Sequence, residues 1–322
     1  MVAIAVIGAG AVGCYYGGLL ARAGHDVRFL MRRDLEAVRR AGLTIRSCNG
    51  DFSLPSVAAF ATPEELGTVD WVICSLKSTQ LEEAARLIRP CLGAKTRVLA
   101  LMNGLDIEAR LGAAIGRDRV FGGMAFVCIN RGEPGVVNHL KYGRVTLGHL
   151  EDDLAQTEEL AGLLRSGEVE AVVAPNLRSA RWEKLAWNVP FNGLSVACGG
   201  VGTERITGEP ALRPVAERAM RELIAIGNAD LAALGSALRI DEETLVASLF
   251  ALTDTMGDYR TSMVIDYVLG RPLEVEAILG GPARRAEALG VAAPTVQALY
   301  GLVLHADVTR RGLLATLRPE DL

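Results

Sequence analysis

A doubly wound α/β domain followed by an all-helical domain is the fold class that this 322-residue sequence predicts. Three observations predict it. Short β-branched runs alternate with helical patterns through the first half, which is the mark of a mainly parallel sheet. A glycine loop, Gly8-Ala9-Gly10-Ala11-Val12-Gly13, joins the first strand-like run to the first helical one. From Asn176 onward no convincing strand appears.

The elements follow in order. Ala3–Ile7 has the length and composition of a buried strand, and Ala11–Ala23 reads as a helix ending at Gly24. Asp26–Met31 is the second strand, and Asp34–Ala41 a short helix stopped by Gly42, with Asp34 as its expected cap. Leu43–Arg46 and Phe52–Ala58 are expected to pair as a hairpin around Asn49-Gly50. Trp71–Leu76 and Arg97–Leu101 are further buried strands, each followed by a helical stretch, near 79–89 and 106–115. Gly123–Ile129, Gly135–Leu140 and Arg144–Leu147 are strand-like, with a turn at Glu133-Pro-Gly135. A helix at 152–165 and a strand at 169–173 close this half. Helices are expected near 178–198, 210–235, 241–253, 261–269, 276–289 and 294–311. The domain boundary falls near Pro175, giving domains 1–175 and 176–322.

Half of the residues are hydrophobic and 22% are charged, so there is material for large cores and no sign of disorder. The formal net charge of -4 argues against nucleic-acid binding. Six cysteines with no CxxC pair, and only four histidines, make zinc and disulfide readings poor, so no metal is expected. Met1-Val-Ala-Ile-Ala-Val-Ile7 lacks the basic region of a signal peptide, and there is no long uncharged apolar run. A soluble cytoplasmic protein, with no membrane partner, is the expectation.

The glycine loop is G-x-G-x-x-G in the setting that makes the pattern specific, after a strand and at the start of a helix. Gly8 allows the tight turn, Gly10 lets backbone approach a pyrophosphate, and Gly13 lets helix and strand pack closely. The helix N-terminus adds N–H groups and the positive dipole end. Dinucleotide binders of the NAD type place an acid after the second strand. Here Leu30-Met-Arg32-Arg33 places a guanidinium pair there instead. Arginine suits a 2′-phosphate, so NADP(H) is favoured over NAD(H), unless the pair is merely solvated. Lys77 and Asn103-Gly104 follow two strands at the carboxyl edge of the sheet, where ligands bind. Asn103-Gly104 also reads as a simple turn.

In the helical half, Lys184, Asn188 and Asn192 are four residues apart within Trp182-Glu-Lys-Leu-Ala-Trp-Asn-Val-Pro-Phe-Asn192. A helix turns about 100° per residue, so the three share one face. An amine and two carboxamides among apolar neighbours are costly without partners. The stripe is therefore a place to look for chemistry, the alternative being a solvated helix face.

Together these features resemble those of the ketopantoate reductases (2-dehydropantoate 2-reductases), and the match spans nearly the whole chain. It rests on Gly8-x-Gly10-x-x-Gly13, Arg32, Ser75-Leu-Lys77, Asn103-Gly104 and Pro134-Gly-Val-Val-x-His139. It continues through Lys184-x3-Asn188-x3-Asn192, Ser262-Met263 with Asp266, and Glu274 twelve residues after Ser262. The resemblance implies a Rossmann-type domain and a helical domain similar to that of the 6-phosphogluconate dehydrogenases. It implies that Lys184 donates the proton, that Asn188, Asn192 and Ser262 contact substrate, and that Asn103 touches both substrate and cofactor. Glu274 would complete the site beside the cofactor, while the loop residues Gly8 to Gly13, Arg32 and Lys77 would hold NADP(H). The implied reaction is reduction of a 2-oxo acid, ketopantoate to (R)-pantoate in pantothenate synthesis. A lysine buried in such a site has its pKa drawn down by desolvation and can serve as general acid.

Glu276 could take the place of Glu274, and Asp266, His139 and Tyr142 read as structural. The sequence departs from the family where Asn-Pro is common, having Asn192-Gly193, with a proline instead at Pro190. That proline is expected to kink the helix and free the carbonyl of Ala186. No amide occurs in Gly199-Gly-Val-Gly202, where the family has another asparagine. Other branched 2-oxo acids therefore stay open as substrates. An opine or glycerol-phosphate dehydrogenase would need a histidine or a lysine cluster near the stripe, and a non-catalytic NADP(H) sensor would need no proton donor. The apolar helical half would suit a homodimer.

Overall fold

The apolar runs of the first half form strands that pair mostly in parallel in a computed structural model of the protein, which describes residues 1–312. Residues 313–322 of the expected helical domain lie outside the described residues. The chain divides into two compact units, Met1–Ala180 and Arg181–Leu322.

In the first unit the order is Ala3–Ile7 (β1), Ala11–Arg22 (α1), Asp26–Leu30 (β2), Leu35–Ala41 (α2), Leu43–Ser47 (β3), Phe52–Leu54 (β4) and Ala58–Phe60 (β5). Then come Trp71–Cys74 (β6), Leu81–Ile88 (α3), Arg97–Ala100 (β7), Ile107–Ile115 (α4), Val120–Arg131 (β8), Val136–His149 (β9), Leu154–Ser166 (α5) and Ala171–Val173 (β10). The strands make one sheet in the order β4-β3-β9-β8-β7-β6-β1-β2-β5, with β10 beside β9. All pairings are parallel except β3–β4 and β8–β9.

Helix α1 explains the shape of this sheet. Its residues from Gly13 to Leu20 are all buried. A Cβ on Gly17 would stand 2.7 Å from Phe29 and 2.8 Å from Val6, so β1 and β2 press on one side. Leu43 and Ile45 of β3 lie against Gly18, and the Tyr16 hydroxyl donates to the carbonyl of Gly143 in β9 at 3.1 Å. Strands from both ends of the order thus reach one helix, and the sheet must curl around it. A helix that is apolar on every side has no other stable place.

Three expectations are corrected here. The hairpin partner of β3 is only Phe52–Leu54. Pro55 lacks the N–H that would continue the ladder, and Ala58–Phe60 leaves to pair in parallel with β2. The two expected strands 135–140 and 144–147 are one, because Tyr142 (φ +68°) and Gly143 (φ +135°) form an irregularity within β9 rather than a break. Asp34 stands at the cap position of α2, but its side chain makes no cap bond and turns to Arg131.

In the second unit the order is Leu177–Ala197 (α6, which begins in the first unit), Thr203–Gly208 (α7), Arg213–Ala233 (α8), Glu242–Asp254 (α9) and Ser262–Val268 (α10). A π-helical turn at Glu276–Gly280, Gly281–Leu289 (α11) and Pro294–Arg310 (α12) complete it. No strand occurs here among the described residues. The short α7 was not expected, and the expected helix 276–289 changes register at its π-turn. α6 runs unbroken through Pro190. Two indoles fix its orientation. Trp182 donates to the fully buried Asp230 of α8 at 2.8 Å, and Trp187 donates to Thr253 of α9 at 2.9 Å. Asp230 also accepts from Arg285 of α11 at 3.0 Å, which satisfies a carboxylate that could not otherwise stay buried. Among the described residues no helix is long and apolar enough to cross a membrane, and no cluster suited to a metal ion occurs.

Candidate active site

The glycine loop follows β1. Gly8 has φ +90°, and a Cβ there would lie 2.6 Å from the Leu76 nitrogen, so no side chain fits. Its carbonyl accepts from the Gly10 N–H at 2.6 Å and from the Ser75 hydroxyl at 2.8 Å. A Cβ on Gly13 would stand 2.4 Å from that hydroxyl and 2.6 Å from the Gly8 carbonyl. Gly10 differs: the nearest atom to a Cβ there would be 3.9 Å away. The protein itself does not need glycine at 10, so the bare backbone is a cradle open to a ligand. The first turn of α1 carries no acid, which leaves its positive end for an anion. Ala9, Ala11 and Val12 are half-buried around this cradle. The loop fits a dinucleotide pyrophosphate on these grounds. Beneath it the Cys14 thiol donates to the Ala9 carbonyl at 3.4 Å, and burial pushes its pKa up to about 12, so it is a neutral packing group.

Other expected residues of this unit lie on the same carboxyl edge. Arg32 and Arg33 are exposed after β2. Lys77 is exposed after β6, and Asn103 is half-buried after β7. Gly104 has φ +113°, so Asn103-Gly104 is a glycine-requiring turn that also offers an amide. Sequence reasoning missed Arg131. Its Nη2 lies 2.6 Å from Asp34 and 3.5 Å from the Ala9 carbonyl. No local pattern could have paired residues so distant along the chain, because the curl of the sheet brings them together.

In the second unit the stripe on α6 is not a solvated face. Asn188 is 4% exposed and Asn192 2%, while Lys184 is half-buried with its Nζ 5.8 Å from the Trp187 ring centroid. The Asn192 amide is a bridge. Its Nδ2 donates to the Asn188 carbonyl at 2.8 Å, and its Oδ1 accepts from the Met263 N–H at 3.3 Å. Thr261 caps the same helix by accepting from Val264 at 3.4 Å. The first residue of α10, the half-buried Ser262, is thereby held next to the end of the stripe. A Cβ on Gly193 would lie 3.3 Å from both Leu279 and Leu299, so glycine here lets these side chains pack closely on α6. Leu279 belongs to the π-turn that follows Glu274.

Of the two glutamates in that segment, Glu274 is 5% exposed. Glu276 is exposed and accepts from Tyr300 and Arg284, each at 2.8 Å. Only Glu274 has the environment of a site residue. Asp266 is buried and faces Arg271 at 3.6 Å. His139 is packed in the first unit, its Nδ1 2.8 Å from the Ser47 hydroxyl and its ring 4.3 Å from Tyr15. The structure thus joins Asn188, Asn192 and the start of α10 directly and keeps Lys184 on their face. An amine able to give a proton, beside carboxamides able to orient a carbonyl or carboxylate, is the chemistry of a carbonyl reduction site.

Comparison with known proteins shows the family. The family model described as ketopantoate reductase PanE/ApbA matches residues 4–152, and that of the ketopantoate reductase PanE/ApbA C terminal matches residues 176–307. The chain is 34% identical to the 2-dehydropantoate 2-reductase of Nostoc sp. over 95% of its own length and 96% of the relative's. It superposes on the 2-dehydropantoate 2-reductase of Geobacter metallireducens with a TM-score of 0.90 and 43% identity, covering 94% of this chain and 99% of that one. A D-mandelate dehydrogenase solved with NADH and anilino(oxo)acetate shares the fold, at 23% identity and a TM-score of 0.86, covering 95% of this chain and 98% of that one. With both halves matched in order and at this identity, the chain belongs to the ketopantoate reductase family.

Proposed function

We propose that the protein reduces 2-dehydropantoate to pantoate with NADPH. The observation that carries this reading is the stripe of half-buried Lys184 with buried Asn188 and Asn192, tied to α10 through the Asn192–Met263 bond. When bound, the nicotinamide supplies a hydride to the C2 carbonyl of the 2-oxo acid. Lys184 stabilises the developing alkoxide with its charge and gives it a proton from Nζ. Asn192 has one amide hydrogen spoken for by the Asn188 carbonyl, and the other is left to donate to substrate. Asn188, the Ser262 hydroxyl and Asn103 orient the substrate's polar groups. The buried carboxylate of Glu274 accepts from a substrate or ribose hydroxyl. Gly8 to Gly13 receive the pyrophosphate, and Arg32 and Lys77 receive the cofactor's phosphates. The exposed Leu234, Val268, Leu269 and Leu302 of the second unit fit a homodimer, which sedimentation would check.

The absence of an amide at Gly199 to Gly202 favours a second reading, in which another branched 2-oxo acid is the preferred substrate. One assay separates them. Purified protein is offered NADPH or NADH with a panel of 2-oxo acids, 2-dehydropantoate included, and nicotinamide absorbance is followed. Fastest turnover per KM on 2-dehydropantoate with NADPH is expected. Faster turnover of another acid would establish the second reading, and no oxidation with any acid would end both.

A further inference from the structure

The pairing of Arg131 with Asp34 has no part in the chemistry above. Asp34 is the first acid after β2, close to where an NAD-type site uses a carboxylate to bind the adenosine ribose. Its side chain is 14% exposed and does not cap α2. Arg131, the last residue of β8, closes over it at 2.6 Å. The same guanidinium nitrogen lies 3.5 Å from the Ala9 carbonyl in the glycine loop. Arg131 is one-third exposed, so a ligand can reach it.

A bare carboxylate beside Arg32 and Arg33 would repel a 2′-phosphate and would accept from a ribose hydroxyl. An arginine paired with that carboxylate removes the repulsion, and the same guanidinium nitrogen reaches the loop at the Ala9 carbonyl. We propose that Arg131 is a cofactor-selecting residue. By holding Asp34 as an ion pair over the glycine loop, it turns the adenosine end of the site toward the 2′-phosphate of NADP(H) and away from the ribose diol of NAD(H). This rests on the NADP(H) reading given above. It adds to Arg32 a second guanidinium, supplied from the end of β8, that cancels the charge of Asp34.

Equilibrium binding tests it without any 2-oxo acid. The full-length protein is titrated with NADPH, NADH, adenosine 2′,5′-bisphosphate and adenosine 5′-monophosphate. In Arg131→Ala the preference for NADPH over NADH is expected to fall about tenfold or more, the scale of one charged hydrogen bond. Affinity for the bisphosphate should fall in step, with the monophosphate unaffected. Adding Asp34→Asn to Arg131→Ala should restore much of the preference, since the uncovered carboxylate is then gone. Arg131→Gln gives the same reading if the alanine variant does not fold. Equal weakening of NADPH and NADH would mean a purely structural latch and would overturn the proposal. A wild-type protein that prefers NADPH, with an unchanged ratio in the variants, defeats this inference alone. A wild-type protein with no preference defeats the NADP(H) reading as well.

Discussion

Helices α1 and α6 are both largely buried, and the polar groups proposed to meet a ligand are backbone at α1 and side chains at α6. At α1 the working surface is made by what is missing: glycines at 8, 10 and 13, and no acid in the first turn. At α6 it is made by an amine and two carboxamides held at nearly constant phase. A backbone site is damaged by adding atoms, and a side-chain site by removing them. Alanine should therefore damage both regions, α1 because it adds an atom and α6 because it removes a functional group.

The largest effect is expected at Lys184. Lys184→Ala should lower kcat by about 10²–10⁴, the usual worth of a positioned proton donor. NADPH binding, read by fluorescence titration, should stay within twofold or so, because the role proposed for Lys184 is toward the substrate's carbonyl oxygen and not toward the cofactor. Full turnover in the variant would remove Lys184 from the role of acid.

Glycines 10 and 13 sharpen the contrast within α1. Gly13→Ala drives a Cβ into Ser75 and the Gly8 carbonyl, and overpacking of this kind costs about 1–3 kcal/mol. Gly10→Ala meets nothing closer than 3.9 Å, so the folded protein should be as stable as wild type. Both should lose cofactor affinity. Urea unfolding and cofactor titration on the two variants separate packing from ligand approach. A destabilised Gly10→Ala would refute the open-cradle account.

These cases also show which features could be read in advance. The glycine loop was legible because its spacing and its place between a strand and a helix are local features of the sequence. The Lys184–Asn188–Asn192 stripe was legible because helical phase is local too. The kinship of Ser262 with the stripe came only from resemblance, and its physical reason, the Asn192–Met263 bond, joins elements far apart in the chain. Asp34 was misjudged as a cap for the same reason: its partner, Arg131, arrives by the curl of the sheet. The hairpin strand expected over Phe52–Ala58 ends at Leu54, with Ala58 in the strand beside β2, because strand composition does not say which neighbour a strand will choose.

Asn192 should give the next largest effect, and on stability rather than chemistry alone. Asn192→Ala leaves the Met263 N–H without its acceptor at a buried helix start, which costs about 2 kcal/mol. Ser195, three residues on, is also fully buried, but its hydroxyl has no partner. Ser195→Ala should be neutral or slightly stabilising, since nothing is left unpaired by it. Chemical denaturation of the pair measures this. Equal losses would mean that burial, and not the bridge to α10, sets the stability of this helix.

The smallest effect lies back in the first unit, at His139. Burial lowers its pKa below the ordinary value of 6.5, against weaker opposing bonds to the backbone of Tyr142 and Lys141. The unfolded chain therefore binds a proton at this residue more readily than the folded protein does. The stability it contributes is complete above about pH 6.5 and is lost as pH falls through the lower folded-state value. His25 is shifted the same way, so some acid sensitivity should survive in its absence. His139→Gln should flatten part of the fall in melting temperature between about pH 7 and pH 5, with little effect at pH 8. His139 packs on Tyr15 of α1 with ring centroids 4.3 Å apart, so the same acid titration should loosen the packing of α1. Calorimetry across that range, with wild type and variant in parallel, would show identical slopes if His139 were already protonated in the folded protein.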